Sequence, residues 1–176
     1  MGLQHEIGFV TKRPNAAQRT LQRVAAVPNL SPILSRVVTP IDRTLYRITS
    51  GRASVSAGLV AFPMIVLGTT GARTGKKRKT PLAAIPVGDD LGLIASNAGS
   101  GTIPGWAHNL QANPEATVTY GRRLAAVVAR TVHGDEYDQV FAAAERVYTG
   151  FAGYRERVDY TIPVFMLTAI EETHPI

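Results

Sequence analysis

MIVLGTTGARTGKKRKTPLAAIPVGDDLGLIA, Met64–Ala95, is the stretch on which the fold turns. Met64 to Leu67 is a short apolar run rich in β-branched residues, the pattern of a buried strand. A polar, glycine-bearing loop follows, and Leu82 to Val87 reads as the partner strand. Gly88-Asp89-Asp90 is turn chemistry, so Leu91 to Ala95 predicts a further antiparallel strand closing a hairpin.

The same alternation of strand and tight turn continues toward the C-terminus. Thr117 to Tyr120 and Leu124 to Val132 flank the turn at Gly121-Arg122, and Pro163 to Ile170 predicts a last strand. Helical spacing occurs in only two places beyond residue 64. Trp106 to Gln111 predicts a short helix stopped at Asn113-Pro114. Asp135 to Tyr148 predicts an amphipathic helix with Tyr137, Val140, Phe141, Ala144 and Val147 on its inner face. Five or six mostly antiparallel strands with few helices point to a mainly β (α+β) barrel rather than a doubly wound sheet.

Before residue 64 the pattern is helical or absent. Residues 1–13 show no periodicity and are expected to be disordered or loosely attached. Ala17, Leu21 and Val24 recur at helical spacing, and Leu34, Val37, Val38, Ile41, Leu45 and Ile48 form a second stripe. Within it, Thr39-Pro40 with Asp42 resembles a helix start. Two readings of that stripe stay open: a helix packed on the domain, or a basic amphipathic helix at an anionic membrane surface. The chain is thus divided into a basic N-terminal arm, 1–38, partly disordered or helical, and a barrel domain, 39–176.

With 176 residues the chain suits a single domain, and its 45% hydrophobic content suffices for a core. The absence of cysteine excludes disulfides, iron–sulfur ligation and a thiol nucleophile. His5, His108, His133 and His174 are scattered without metal-ligand spacing, so no metal is expected. No run approaches the ~20 apolar residues of a membrane span. The opening residues lack the apolar region of a secretory signal, which predicts a cytoplasmic protein.

The formal charge of +6 is unevenly placed. Residues 1–52 carry eight Lys or Arg against two acids, and residues 53–82 add five cations and no acid. The remainder holds six basic and eleven acidic residues. One dense cationic spot on an acidic body suggests a compact polyanion rather than nucleic acid, whose binders spread cations along a face. The spot is GTTGARTGKKRKTPL, Gly68 to Leu82, whose glycines allow backbone N–H groups to turn toward a ligand. It is not a P-loop, since Gly71 to Gly75 is one residue short and Lys76 precedes Lys77 rather than Ser or Thr. On its own it could equally be a solvated hairpin tip. The second informative segment, LGLIASNAGSGTIPGWAHNLQANP (Leu91–Pro114), contains no charged residue. Its glycines and neutral hydrogen bonders suit a pocket for a planar heterocycle.

Three patterns carry a family resemblance: TTGARTGKKRKTPL, ASNAGSGTIPGWAHNLQANP and the tail YTGFAGYRERVDYTIPVFML. Together, from about Thr39 to Leu167, the chain resembles the deazaflavin (F420)-dependent nitroreductase family of deazaflavin-dependent oxidoreductases. The resemblance implies an antiparallel split β-barrel of the FMN-binding type with an N-terminal helix and peripheral helices. It implies coenzyme F420, an 8-hydroxy-5-deazaflavin, as cofactor. Arg73, Lys76 and Arg78 would hold its phosphate and glutamate tail, and Thr80 and Pro81 would border its ring. Ala98, Gly99, Gly105, Trp106 and Asn109 would shape the cleft. Ser96 would lie near the reactive face, with Tyr148, Phe151 and Tyr154 over the substrate pocket. The chain departs from the family at Asn97, where a lysine can stand, and at Phe151, where a tyrosine can.

The implied reaction is hydride transfer to a small electron-poor acceptor such as a quinone, an enone or a nitro-aromatic, with Ser96, Tyr148 and Tyr154 as the candidate catalytic groups. An FMN-dependent reductase of the same barrel lineage and a non-catalytic deazaflavin carrier are the rival readings. Nucleic acid is not an expected partner, because no aromatic residue stands among the cations of Thr70 to Leu82. Arg13, Arg19, Arg23 and Arg36 could hold the chain at an anionic membrane, and a monomer or a homodimer are both compatible with the sequence.

Overall fold

The computed structural model describes residues 2–10, 64–97, 100–147, 151–155 and 158–170, with the side chains of 152 and 154 excepted. The two helical stripes before residue 50 and the cations of the basic arm lie outside the described residues.

Seven strands form one antiparallel sheet: β1 (Met64–Thr70), β2 (Lys77–Ala83), β3 (Ile85–Val87), β4 (Asp90–Ile94), β5 (Glu115–Tyr120), β6 (Arg123–Thr131) and β7 (Val164–Ala169). Their order is β2-β1-β5-β6-β7-β4-β3, and the sheet curls into a half-barrel of split-barrel type. Among the described residues four helices accompany it: α1 (Leu3–Ile7), α2 (Gly105–Ala112), α3 (Gly134–Val147) and α4 (Ala152–Arg155). Every strand expected from the sequence is present, with one regrouping. The predicted Leu82–Val87 strand is two strands, and β2 reaches back to Lys77 because Thr70 pairs with Lys77 and the ladder continues to Met64–Ala83. The connecting loop is therefore only Gly71 to Lys76, and Lys77, Arg78 and Lys79 belong to a strand.

Register assigns each side chain to a face, since residues opposite one another in a ladder project together. Ile65, Leu67 and Thr69 share the inner face with Leu82, Thr80 and Arg78 of β2, and Leu67 also sits opposite Val118 of β5. Around the curl, Ala125, Val127 and Ala129 of β6, Phe165 and Leu167 of β7, and Leu91 and Leu93 of β4 complete one buried cluster. Helix α2 contributes Trp106, Ala107 and Leu110 to it. The outer face of β3, β4 and β7 packs against α3 through Val140, Phe141, Val164 and Met166. Contact there is close enough that a Cβ on Gly92 would stand 2.7 Å from Val140 Cγ1, so only glycine lets the helix seat on β4. Arg130 of β6 hydrogen-bonds Glu136 in the first turn of α3 and holds its carboxyl below the usual range.

The N-terminal residues depart from expectation. Instead of a loose end they form α1, closed by Gly8 in the left-handed region at φ 61°. Leu3 and Ile7, four residues apart on one side of the helix, are 0% and 1% exposed within the inner cluster. The Gln4 side chain donates to the carbonyls of Gly88 and Asp90 at 3.0 and 2.8 Å, and Phe9 packs on Tyr120 with ring centroids 5.0 Å apart. A five-residue helix is too short to reveal a period, which is why sequence spacing misses it. Once its two apolar side chains meet the open half-barrel, burial rather than helix propensity holds it.

Candidate functional site

The basic segment begins at the end of β1, where a six-residue loop must turn the chain while carrying cations. Gly71 N–H donates to the Lys76 carbonyl at 2.9 Å, and Gly75 N–H to the Gly71 carbonyl at 2.8 Å, which closes the loop on itself. Gly75 takes φ 64°, open to glycine at little cost. At Gly71 a Cβ would meet Thr74 Oγ1 at 2.8 Å and the Lys76 carbonyl at 3.2 Å, so the tight fold excludes any side chain there.

The five cations do not form one undivided knot. Lys77 and Lys79 stand opposite Thr70 and Gly68 on the outer face, whereas Arg78 stands opposite Thr69 on the inner face. Lys77 Nζ donates to Thr70 Oγ1 at 2.9 Å. Arg73 and Lys76 lie in the exposed loop. Among the described residues the salt bridges are Arg130–Glu136 and Arg155–Asp138, both remote in sequence from this segment, so none of its five cations is neutralised by a carboxylate there. Thr80, opposite Leu67, faces inward, and Pro81, opposite Val66, faces outward on an edge strand that tolerates a missing N–H.

Helix α2 lies against the inner face, where it meets β1 and Phe165 of β7. Trp106, 7% exposed, packs on Phe165 at a centroid separation of 5.8 Å, and Phe165 pairs with Leu93 of β4. One turn later Asn109 reaches β1: its Nδ2 donates to Thr69 Oγ1 at 3.0 Å, and its Oδ1 accepts the Ala72 N–H at 3.0 Å. Gly105 opens this helix with nothing within 4 Å of the position a Cβ would take. Beyond β4 the chain passes Ala95, whose N–H donates to the Pro163 carbonyl, and reaches Ser96. Asn97 then turns at φ 45°, and its amide donates to Ser100 Oγ at 2.7 Å and Thr102 Oγ1 at 2.9 Å. At the position where a family lysine can stand, the side chain is thus committed to its own loop.

Among the described residues the buried polar side chains are Thr69, Ser96 and Asn109, at 2%, 6% and 8% exposure. Thr69 and Asn109 satisfy each other. Ser96 is buried as a residue and no hydrogen bond of its hydroxyl occurs among the described residues, whereas the fully buried hydroxyl without a partner there is that of Tyr160. Sequence reading singled out Ser96 and Asn109 but missed Thr69, because nothing in a single strand threonine signals a partner forty residues away.

Of the other sequence-derived candidates, Ala98, Gly99 and Tyr148 lie outside the described residues, as does the Tyr154 side chain, although its backbone belongs to α4. That helix is fastened to α3 by Arg155, which pairs with Asp138 at 2.9 Å and lies 4.9 Å from the Phe141 ring centroid. Phe151 is 6% exposed and packs with Ile85 and Ala144 on the outer face beside α3. Tyr120 and Tyr137 pack against Phe9 and Phe141 respectively. Burial pushes the Tyr137 hydroxyl above its ordinary pKa, against the opposing effect of Arg155. No group of His, Asp or Glu able to hold a metal occurs among the described residues, and none of their helices is long and apolar enough to cross a membrane.

Residues 40–169 match the protein family described as F420H(2)-dependent quinone reductase. A curated F420H(2)-dependent quinone reductase of Mycobacterium tuberculosis strain H37Rv is 35% identical over 127 residues, covering 70% of this chain and 85% of the relative. A solved structure described as an F420-H2 dependent reductase is 33% identical, covers 60% of this chain and 93% of its own, and superposes with a TM-score of 0.56. Another, described as a domain-swapped dimer, is 29% identical over 72% of this chain and 96% of its own, with a TM-score of 0.57.

Proposed function

This chain belongs to the F420H(2)-dependent quinone reductase family, and from that membership we propose that it transfers a hydride from reduced coenzyme F420 to a quinone-type acceptor. The observation that carries the reading is the set of cations without carboxylate partners among the described residues, at one end of a helix whose other end holds the buried tryptophan. Concentrating Arg73, Lys76 and Arg78 without neutralisation costs stability in the absence of an anion. A phosphate with a short glutamate chain supplies several negative charges in the space such a loop covers, and arginine forks match its oxygens. The donor set therefore fits the coenzyme's tail.

When bound, the deazaflavin supplies the hydride. What the chain's own residues do is bind, orient and exclude water. Arg73, Lys76 and Arg78 would hold the tail, and Thr80, on the inner face, would border the ring. Trp106, fixed against Phe165, gives the cleft a rigid apolar wall. Ser96 donates its unused hydroxyl hydrogen bond to the acceptor oxygen as negative charge develops there, an interaction stronger in the transition state than in the ground state. Tyr148 and Tyr154 are the further proton donors in this reading, and enones and nitro-aromatics are secondary acceptors of the same electron-poor class. The domain-swapped relative supports a homodimer as the working form.

Fluorescence titration tests the cofactor. F420 is expected to bind far more tightly than FMN, with an affinity that falls as salt rises, because several charges are neutralised rather than one. Equal affinity for FMN, or yellow flavin co-purifying with the protein, overturns the assignment in favour of a flavin enzyme. Tight F420 binding with no turnover of any quinone would make it a carrier. For Ser96→Ala, loss of one neutral donor predicts a decrease in kcat of about ten- to a hundredfold with the F420 dissociation constant within about twofold of the parent. An unaltered kcat would remove Ser96 from the reaction.

A further inference from the structure

We infer that Asn109 is a positioning residue that sets the coenzyme-tail loop rather than a group that touches the coenzyme. The inference rests on the proposed function and concerns the same site. Both ends of its buried amide are spent on the loop's neck: Oδ1 on the Ala72 N–H, Nδ2 on Thr69 Oγ1, each at 3.0 Å. Ala72 directly precedes Arg73, and Thr69 stands opposite Arg78, so the two anchor points lie beside the two arginines assigned to the tail. One turn further along the helix, Asn113 Nδ2 reaches toward the Thr70 carbonyl at 3.4 Å. The same helix carries Trp106 three residues earlier on the same side, packed on Phe165. Asn109 thus fixes the distance between the cationic loop and the tryptophan end of α2.

The chemistry is specific to asparagine. The loop neck offers one N–H needing an acceptor and one hydroxyl oxygen receiving a donor, and only a neutral side-chain amide of this length supplies both. Aspartate would bring a negative charge beside Arg73 and Arg78 and compete with the coenzyme's own anions. Mutual repulsion of the cations tends to spread the loop, and a tie at Ala72 opposes that spreading from a buried site, where a hydrogen bond is not exchanged for water.

Two deazaflavin probes separate this role from others: F420 itself and its core lacking phosphate and glutamates. For Asn109→Ala the F420 dissociation constant is expected to rise about tenfold, the size of effect that losing one buried hydrogen-bonded tie produces. The tail-less core should bind within about twofold of the parent. Thr69→Val, which removes the second anchor and keeps the shape, is expected to act in the same direction but more weakly, and to add little to Asn109→Ala in the double variant. Weakening of both probes alike would mean that Asn109 acts on the ring side, and parental F420 affinity in both single variants would mean that the tie is idle; either overturns the inference. A parent that fails to bind F420 at all overturns the proposed function instead.

Discussion

Arg73→Ala combined with Arg78→Ala is expected to raise the F420 dissociation constant about a hundredfold. Each arginine contributes charge-assisted hydrogen bonds of about 1.5–3 kcal/mol to a phosphate or carboxylate, and the exposure of both side chains places them near the lower end of that range. Two such losses come to about 3 kcal/mol, or about a hundredfold at 1.4 kcal/mol per tenfold. The double variant should also lose a large part of the salt dependence of binding, since two of the three cations assigned to the tail have gone and only Lys76 remains. Lys77→Ala with Lys79→Ala is the matched control. It removes the same formal charge from adjacent positions of β2, but from the outer face, opposite Thr70 and Gly68. Its effect is expected to stay within about threefold. Fluorescence titration of both double variants at low and high salt decides the matter. If the lysine pair weakens binding as much as the arginine pair, bulk charge rather than the inner-face geometry holds the coenzyme.

Removing the N-terminal helix should produce the largest loss of stability. Leu3 and Ile7 are 0% and 1% exposed, and truncating a buried Leu or Ile to Ala costs about 2–5 kcal/mol each. Because the two lie one turn apart and share neighbours, the double Leu3→Ala, Ile7→Ala variant is expected to cost about 4–8 kcal/mol rather than the full sum of the upper values. Against a domain stability of about 5–15 kcal/mol this is a large share. With a urea dependence of about 2 kcal/mol per molar, the unfolding midpoint should fall by at least about 2 M. The family match begins at residue 40, so this helix is an addition outside the matched region that nonetheless fills the matched barrel's core. An unfolding midpoint that does not move in the double variant would show that the barrel closes without it.

Much of the strand content was legible because two-residue turns at Gly88-Asp89 and Gly121-Arg122 punctuate the sequence, and both glycines take the left-handed φ that such turns require, 57° and 59°. The amphipathic stripe of α3 was legible for the same kind of reason: Val140, Phe141 and Ala144 recur at helical spacing and are all buried. The extent of β2 was not. Lys77, Arg78 and Lys79 have loop-like composition, and only pairing with β1 draws them into a strand. Nor could the N-terminal helix be read, since it is held by packing against β4, β6 and β7, more than eighty positions away.

The candidate site divides along the same line. The glycine spacing, the cluster of cations and the uncharged stretch after β4 are local properties, and the sequence by itself determined them together with the family. Which cations face inward, that Pro81 faces away from Thr80, and that Asn109 spends its amide on Thr69 and Ala72 were decided only by tertiary structure. The physical reason is that a strand alternates faces with every residue, so a one-residue change of register would exchange Arg78 for Lys77 and Lys79 at the inner face. Register depends on the partner strand, and a hydrogen bond across forty residues depends on the helix that brings both ends together.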